Sequence, residues 1–377
     1  MNYRPDIDGL RAIAVSSVIV YHAALSLAGI QLLPGGYLGV DIFFVISGYL
    51  ITTQITQSLW SPQGFSLGDF YERRIRRILP VLLTVMLCSV PVAWQLLLPA
   101  DFIGYSKSLL SSLLFVSNFY FWHSGLEYEA TDALLIPFLH TWSLSIEEQF
   151  YVLFPLLLIL TRKLQAQQLM IVCSTLLLAS LACAEYLSQT DRSLSFYSPL
   201  TRAWELLAGA LLALWAGSQA ARAGIRLAPG LIRSLRYSAM MVLIVCLMWF
   251  DSETVHPGLL TLIPVLATAL LIALPGDDLL AAKPVVTIGL LSYSLYLWHY
   301  PVFAFGRIYL TTPDTGDKLG WIFLTLALSV LSYHLIEKPF RHRQRFRFRY
   351  AGPVIITVIL ITAGLQILVI RENGYWQ

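Results

Sequence analysis

Twelve apolar runs, each near the ~17–25 residues that a helix needs to cross a bilayer, limit what this chain is able to fold into. They cover residues 11–32, 36–57, 78–98, 102–122, 143–161, 167–187, 199–216, 236–250, 258–274, 285–306, 319–337 and 351–370. Composition agrees: 57% of the 377 residues are hydrophobic and 12% are charged, against roughly 25% charged in soluble domains. The expected fold class is all-α, a polytopic helical membrane bundle built as one integral domain. Cys88, Cys173, Cys183 and Cys246 stand singly inside apolar runs. They predict neither a disulfide frame nor a metal site. A net charge of +3 gives no basis for a nucleic-acid partner, and membrane lipids are the expected surroundings. The first run is too long for a cleaved signal peptide and has no small-residue cleavage site.

Basic residues set the orientation, because Lys and Arg concentrate at cytoplasmic ends. The clusters are Arg73, Arg74, Arg76 and Arg77; Arg162 and Lys163; Arg222, Arg226, Arg233 and Arg236; and the run from Lys338 to Arg349. All are cytoplasmic only if one of the twelve runs does not cross. The segment 102–122 is the expected exception, re-entrant or interfacial, since it carries Lys107, Asn118 and five serines. About eleven transmembrane helices remain, with a cytoplasmic N-terminus and a periplasmic C-terminus. This arrangement places 19 of the 25 Lys and Arg residues at cytoplasmic ends.

Ionisable residues inside such runs are costly and tend to face a protein interior or a wet cavity. Arg11 and His22 interrupt the first run eleven positions apart. They would share one helical face about 16 Å apart along the axis, with His22 near the middle of the span. Snorkelling of Arg11 and an interhelical hydrogen bond from His22 account for them equally well. Asp41 suits pairing with a cation, polarising a neighbouring histidine, or bonding the outer turn Pro34–Gly39. Arg73, Arg74, Arg76 and Arg77 open the third helix; Arg forks match phosphate oxygens, and such a cluster is also an ordinary cytoplasmic anchor. The outer loop 121–141 carries His123, Glu127, Glu129, Asp132 and His140. Glu147 and Glu148 follow in the first turns of the next helix, with Ser143 one turn before Glu147. A carboxylate there suits sugar hydroxyls, acid–base work, or a partly solvated helix start. Arg202 and Glu205 suit an intramembrane ion pair. Tyr293, Tyr296, His299 and Tyr300 crowd the outer half of the tenth run, where an aromatic belt also explains the tyrosines.

Six stretches taken together resemble the membrane acyltransferase-3 family, in particular bacterial O-antigen and surface-polysaccharide O-acetyltransferases. They are the Arg11–His22 pair, Gly39–Ile51, Arg74-x-x-Arg77 before Pro80, Thr141–Tyr151, Ser292–Pro301 and Glu337–Arg341. The resemblance implies an inner-membrane enzyme using cytoplasmic acetyl-coenzyme A and a lipid-linked or surface polysaccharide reached from the periplasm. It implies a transmembrane domain over 1–340, then a cytoplasmic basic loop and a linking helix over 341–377 that exits to the periplasm. Many relatives carry a periplasmic SGNH hydrolase-like domain after that helix. The expectation is that this sequence is the membrane portion of a longer protein.

On that resemblance Arg11, Arg73, Arg74 and Arg77 would hold the donor. His22 would be a general base or an acyl carrier, with Asp41 or Glu147 orienting its imidazole. Glu148, Ser143, Tyr296 and His299 would meet the acceptor. The competing class is a secondary transporter using His22, Asp41 and Glu147, which leaves the arginine cluster unexplained. A pure assembly module does not account for the buried charges.

Overall fold

A computed structural model describes residues 3–59, 64–125, 128, 131–218, 227–276, 279–342 and 348–374. Helices dominate, as hydrocarbon demands of a chain whose backbone must bond internally. In chain order they are α1 Pro5–His22, α2 Gly39–Leu59, α3 Leu67–Leu96, α4 Pro99–Leu113 and α5 Ser117–His123. Then come α6 Thr141–Leu160, α7 Ala166–Thr190, α8 Arg192–Tyr197, α9 Pro199–Gly217 and α10 Pro229–Trp249. The last are α11 Leu262–Ala273, α12 Lys283–Tyr309, α13 Thr315–Ser332, α14 Lys338–Arg341 and α15 Phe348–Arg371, with a π turn over Tyr333–Glu337. Arg222, Arg226, Arg343, Arg345, Arg347, Glu127 and Glu129 lie outside the described residues, as do the side chains of Asp132 and Arg349.

Among the described residues seven helical stretches are long and apolar enough to cross a bilayer, fewer than the eleven crossings expected. Two of the other expected crossings, α1 and α11, differ for identifiable reasons. α1 holds Asp6, Asp8 and Arg11 within 18 residues. α11 has only 12 residues, about 18 Å of rise. The segment 102–122, expected not to cross, is split into α4, of 15 residues, and α5, of 7. The break falls at Phe115, whose φ is 54°, and neither piece reaches the ~30 Å of a hydrocarbon core.

The chain forms two compact units: residues 1–65 with 146–292, and residues 66–145 with 293–377. In the first unit, Ile7, Leu10, Ile42, Val45, Trp204, Leu243 and Leu271 belong to one core. α2 and α9 cross backbone to backbone at Gly48 and Gly209. A Cβ on Gly48 would lie 1.8 Å from the Leu206 carbonyl oxygen, and one on Gly209 2.0 Å from that of Val45. Small residues at such crossings let membrane helices approach closely.

The first helix departs from its expected course. It ends at His22 instead of running to about residue 32, so His22 is its terminal residue and not near its middle. Ala24, Ala28 and Gly29 take positive φ, and Ser26–Leu27 pairs with Ile30–Gln31 in a small hairpin. The turn that follows folds back on α1. A Cβ on Gly36 would meet the Ser17 carbonyl oxygen at 2.3 Å, and one on Gly39 that of Ala14 at 2.3 Å.

In the second unit Val81, Phe102, Leu109, Phe138, Trp298 and Ile355 belong to the core. α3 starts eleven residues before its apolar run. Ser66 caps it, accepting from the Asp69 N–H (3.2 Å), and Asp69 lies in the first turn where the helix dipole favours a carboxylate. The serines of 102–122 are satisfied inside the protein. Ser112 and Thr141 hydroxyls lie 2.7 Å apart, Thr141 donates to Ser117 (2.9 Å), and Ser117 meets Ser145 (2.8 Å). The final helix, α15, packs on α3 and α4, and Ser106 donates to Gln366 Oε1 (2.8 Å) in a buried bond.

Candidate functional site

The first unit carries a buried charged cluster near the starts of α2 and α9. Arg202 Nη2 donates to Asp41 Oδ1 (3.1 Å), and Arg202 Nη1 lies 3.1 Å from Glu205 Oε1. All three side chains are at most 1% exposed. The guanidinium also stands over the rings of Phe44 and Phe196, 5.4 and 5.8 Å from their centroids. Asp41 therefore takes a cation as its partner, and the expected Arg202–Glu205 pair is present.

His256, in the loop between α10 and α11, completes the cluster. Its Nε2 is 2.9 Å from Arg202 Nη1 and its Nδ1 is 3.1 Å from Thr261 Oγ1. Burial, and then the Arg202 charge, hold this imidazole well below the ordinary histidine pKa, so it is neutral. A guanidinium only donates. Nε2 must accept, so the proton is on Nδ1 and is donated to Thr261. The 3.7 Å approach of Nε2 to Asp41 Oδ1 is then not a hydrogen bond.

His22 is 3% exposed and lies edge-on to the Tyr21 ring (5.2 Å). Arg11, eleven residues earlier on α1, donates to Asp8 Oδ1 (3.2 Å), which places the cation beside a carboxylate. Glu147 accepts from Ser47 Oγ and Tyr151 Oη, each at 3.0 Å. Ser47 follows Asp41 by six residues, about 240° around the helix. Glu147, on α6, thus meets α2 on a different face from Asp41. Glu148 is half-buried on α6.

In the second unit α3 presents its arginines differently. Arg76 turns inward, donating from Nε to Glu72 Oε1 (2.7 Å) and standing over Phe348. Arg73, Arg74 and Arg77 are half-buried, and Arg74 lies over the Phe70 ring (5.6 Å). Among the described residues Arg73 and Arg77 form no ion pair. Four residues apart, they share a helix face.

The same unit brings Ser143, Tyr296 and His299 together around His140. Tyr296 Oη donates to the His140 carbonyl (2.9 Å) and accepts from Ser143 Oγ (2.6 Å). His299 Nδ1 donates to the Tyr296 carbonyl (2.6 Å). The His140 ring stacks on Tyr300 (5.3 Å, 16°) and meets His299 edge-on (5.4 Å). It is fully buried, and among the described residues neither ring nitrogen has a hydrogen-bond partner. Burial, then the neighbouring His299, push its pKa well below the ordinary value. An unsatisfied buried polar group costs about 1–3 kcal/mol. No group of three or more potential metal ligands occurs among the described residues.

Sequence reasoning missed Asp8 and His256 as neighbours of candidate residues. The i, i+3 spacing of Asp8 and Arg11 would have revealed the first pair; no local signal joins His256 to Arg202.

A family model described as an acyltransferase domain, acyltransferase type 3, matches residues 4–337. A candidate peptidoglycan O-acetyltransferase of Bacillus subtilis, YrhL, is 34% identical over 92% of this chain and 56% of its own length. A candidate O-acetyltransferase of Staphylococcus aureus is 33% identical over 100% of this chain and 64% of its own. The O-acetyltransferase OatA of the same organism is 31% identical over 95% and 62%. The chain thus spans 56–64% of the length of these relatives. No solved structure matches it significantly.

Proposed function

The chain belongs to the acyltransferase-3 family, and on that premise we propose that it transfers an acetyl group from acetyl-coenzyme A to a hydroxyl of a cell-envelope polysaccharide. The observation that carries the donor assignment is the pair Arg73 and Arg77. These are half-buried cations on one face of α3 without an ion-pair partner among the described residues, while Arg76 beside them is neutralised by Glu72. Half-buried guanidinium groups on one face favour a phosphate-rich ligand. Arg74, held against Phe70, adds a third fork. Arg11 is the remaining donor candidate, with its charge shared with Asp8. The secondary-transporter reading leaves this cluster unexplained.

For the chemistry, His22 serves as general base. The sugar oxygen bonds to the thioester carbonyl carbon, the carbon–sulfur bond breaks, and the hydroxyl proton passes through His22 to the leaving thiolate. The products are the sugar ester and coenzyme A thiol. Such base catalysis contributes roughly 10²–10⁴-fold. Glu147, bonded to Ser47 and Tyr151, is the carboxylate candidate for orienting the imidazole, while Asp41 is engaged by Arg202. Ser143, Tyr296 and His299 suit the acceptor's hydroxyl groups, with Glu148 a further candidate. The name of the Bacillus relative specifies peptidoglycan, which favours a peptidoglycan hydroxyl over O-antigen. The enzyme sits in the cytoplasmic membrane with its N-terminus inside and its C-terminus outside, and an outer SGNH-type domain is a fitting partner.

The test is acetyl-coenzyme A binding to the detergent-solubilised chain beside an Arg73→Ala/Arg77→Ala variant, together with acetyl transfer by His22→Ala. Binding that the double variant loses, and transfer that His22→Ala loses, are the expected results. Unchanged affinity in the double variant removes the donor site from α3. Normal transfer by His22→Ala removes His22 from the chemistry.

A further inference from the structure

His22 is the last residue of α1, and the chain leaves it through Ala24 at φ 48° into the small hairpin. His22 is 3% exposed, and its side chain leans back towards the preceding turn of α1, where the Tyr21 ring lies against it. A base that must meet a hydroxyl within hydrogen-bonding reach must be held in one orientation, and the packing around its ring contributes to that.

The first unit contains a continuous set of contacts that contributes to it. Gly36 lies against Tyr21: a Cβ there would be 2.7 Å from the Tyr21 Cβ. Tyr37 lies edge-on to the Tyr21 ring (5.6 Å), and Tyr21 lies edge-on to His22 (5.2 Å). On its other side Tyr37 lies edge-on to His256 (4.9 Å) and donates from Oη to the Asp251 carbonyl (3.2 Å). His256 is fixed at both nitrogens, by Arg202 (2.9 Å) and Thr261 (3.1 Å). The series therefore ends on the guanidinium that also holds Asp41.

We infer that Tyr37 and His256 are positioning residues for His22, acting through the Tyr21 ring. The inference rests on the reading of His22 as the base. The Arg202 cluster is the rigid anchor, His256 and Tyr37 transmit its position, and Tyr21 sets the face that the imidazole presents. Edge-to-face ring contacts have preferred geometries, so each ring constrains the next.

The experiment compares acetyl transfer by purified wild-type protein, His22→Ala, Tyr37→Leu, Tyr37→Phe, His256→Ala and His256→Gln, with acetyl-coenzyme A binding and thermal melting measured on each. Tyr37→Leu and His256→Ala are expected to lower kcat about 10–100-fold, the scale of a small misplacement of a catalytic group, with donor affinity unchanged. Tyr37→Phe keeps the ring, and His256→Gln keeps an acceptor for Arg202 and a donor for Thr261, so both recover most of the activity. Wild-type kcat in Tyr37→Leu and His256→Ala overturns the inference. So does a conservative variant as slow as its truncation, or donor affinity falling in step with kcat. Should Tyr37→Leu not fold, Tyr21→Leu takes its place with the same expected loss. Wild-type activity in His22→Ala instead sinks the assignment of the base, a distinct result.

Discussion

Replacing Arg202 by Met keeps a long side chain against Phe44 and Phe196 while removing the cation that pairs with both Asp41 and Glu205. Two fully buried carboxylates then face each other and the neutral His256. Breaking one buried ion pair costs about 3–5 kcal/mol, mostly from the charge left behind. Here one guanidinium serves two carboxylates, so the loss belongs at the upper end, about 5 kcal/mol. The stacked rings add about 0.5–2 kcal/mol of cation–π attraction that Met does not reproduce. A companion variant, Arg202→Met/Asp41→Asn/Glu205→Gln, removes every formal charge from the set. The amides leave no uncompensated charge, which is the dominant part of the loss, so the triple variant should recover most of it. Reversible unfolding in mixed micelles measures both. A single variant within about 1 kcal/mol of wild type, or a triple variant no better than the single one, would refute the claim that uncompensated charge dominates.

Gly48→Ala should destabilise the first unit by about 1–3 kcal/mol or more, because its Cβ would stand 1.8 Å from a backbone oxygen that cannot swing aside; micelle unfolding and loss of the Asp41–Arg202 pairing report it. His140→Phe keeps the stack on Tyr300 and removes two orphaned nitrogens, so stability should be equal or higher by about 1 kcal/mol. Acidification tests the same residue. His140 and His256 both have folded pKa values below that of the unfolded chain. The unfolded chain therefore binds more protons below about pH 6.5, and stability present above that pH is lost as pH falls. The loss should be shallower in His140→Phe, and an unaltered pH slope would show that this histidine does not contribute.

The long helices were legible because periodicity and length leave few options for an apolar run, and α2, α6, α7 and α9 follow their expected spans closely. The early end of α1 was not. Residues 23–33 are mostly apolar with no proline, and the hairpin there is set by backbone conformation at Ala24 and Ala28 and by packing of Gly36 and Gly39 on α1. For the same reason the placing of His22 at mid-span was in error. At the site, local spacing told which arginines lie together but not that Arg76 turns inward to Glu72. Asp41 had three readings open, and only a partner 161 positions away selects among them. The serines of 102–122 signalled a segment unlike its neighbours, but their partners Thr141, Ser145 and Gln366 come from elsewhere in the chain.

The distance in sequence between Asp41 and Arg202 has a consequence for biogenesis. At roughly 5–20 residues per second, the 161 residues between them occupy the ribosome for about 8–32 seconds. During that time α2 must reside in the membrane with a carboxyl group whose eventual partner has not been made. A lone Asp at mid-helix raises insertion cost by about 2.5–3.5 kcal/mol, and the apolar remainder of Gly39–Leu59 must outweigh it. Asp41 stands only three residues into that helix, where a partly inserted segment still reaches headgroup water. An aspartate moved to the centre of α2 would face the whole interval in hydrocarbon, and failed integration would precede any defect in folding.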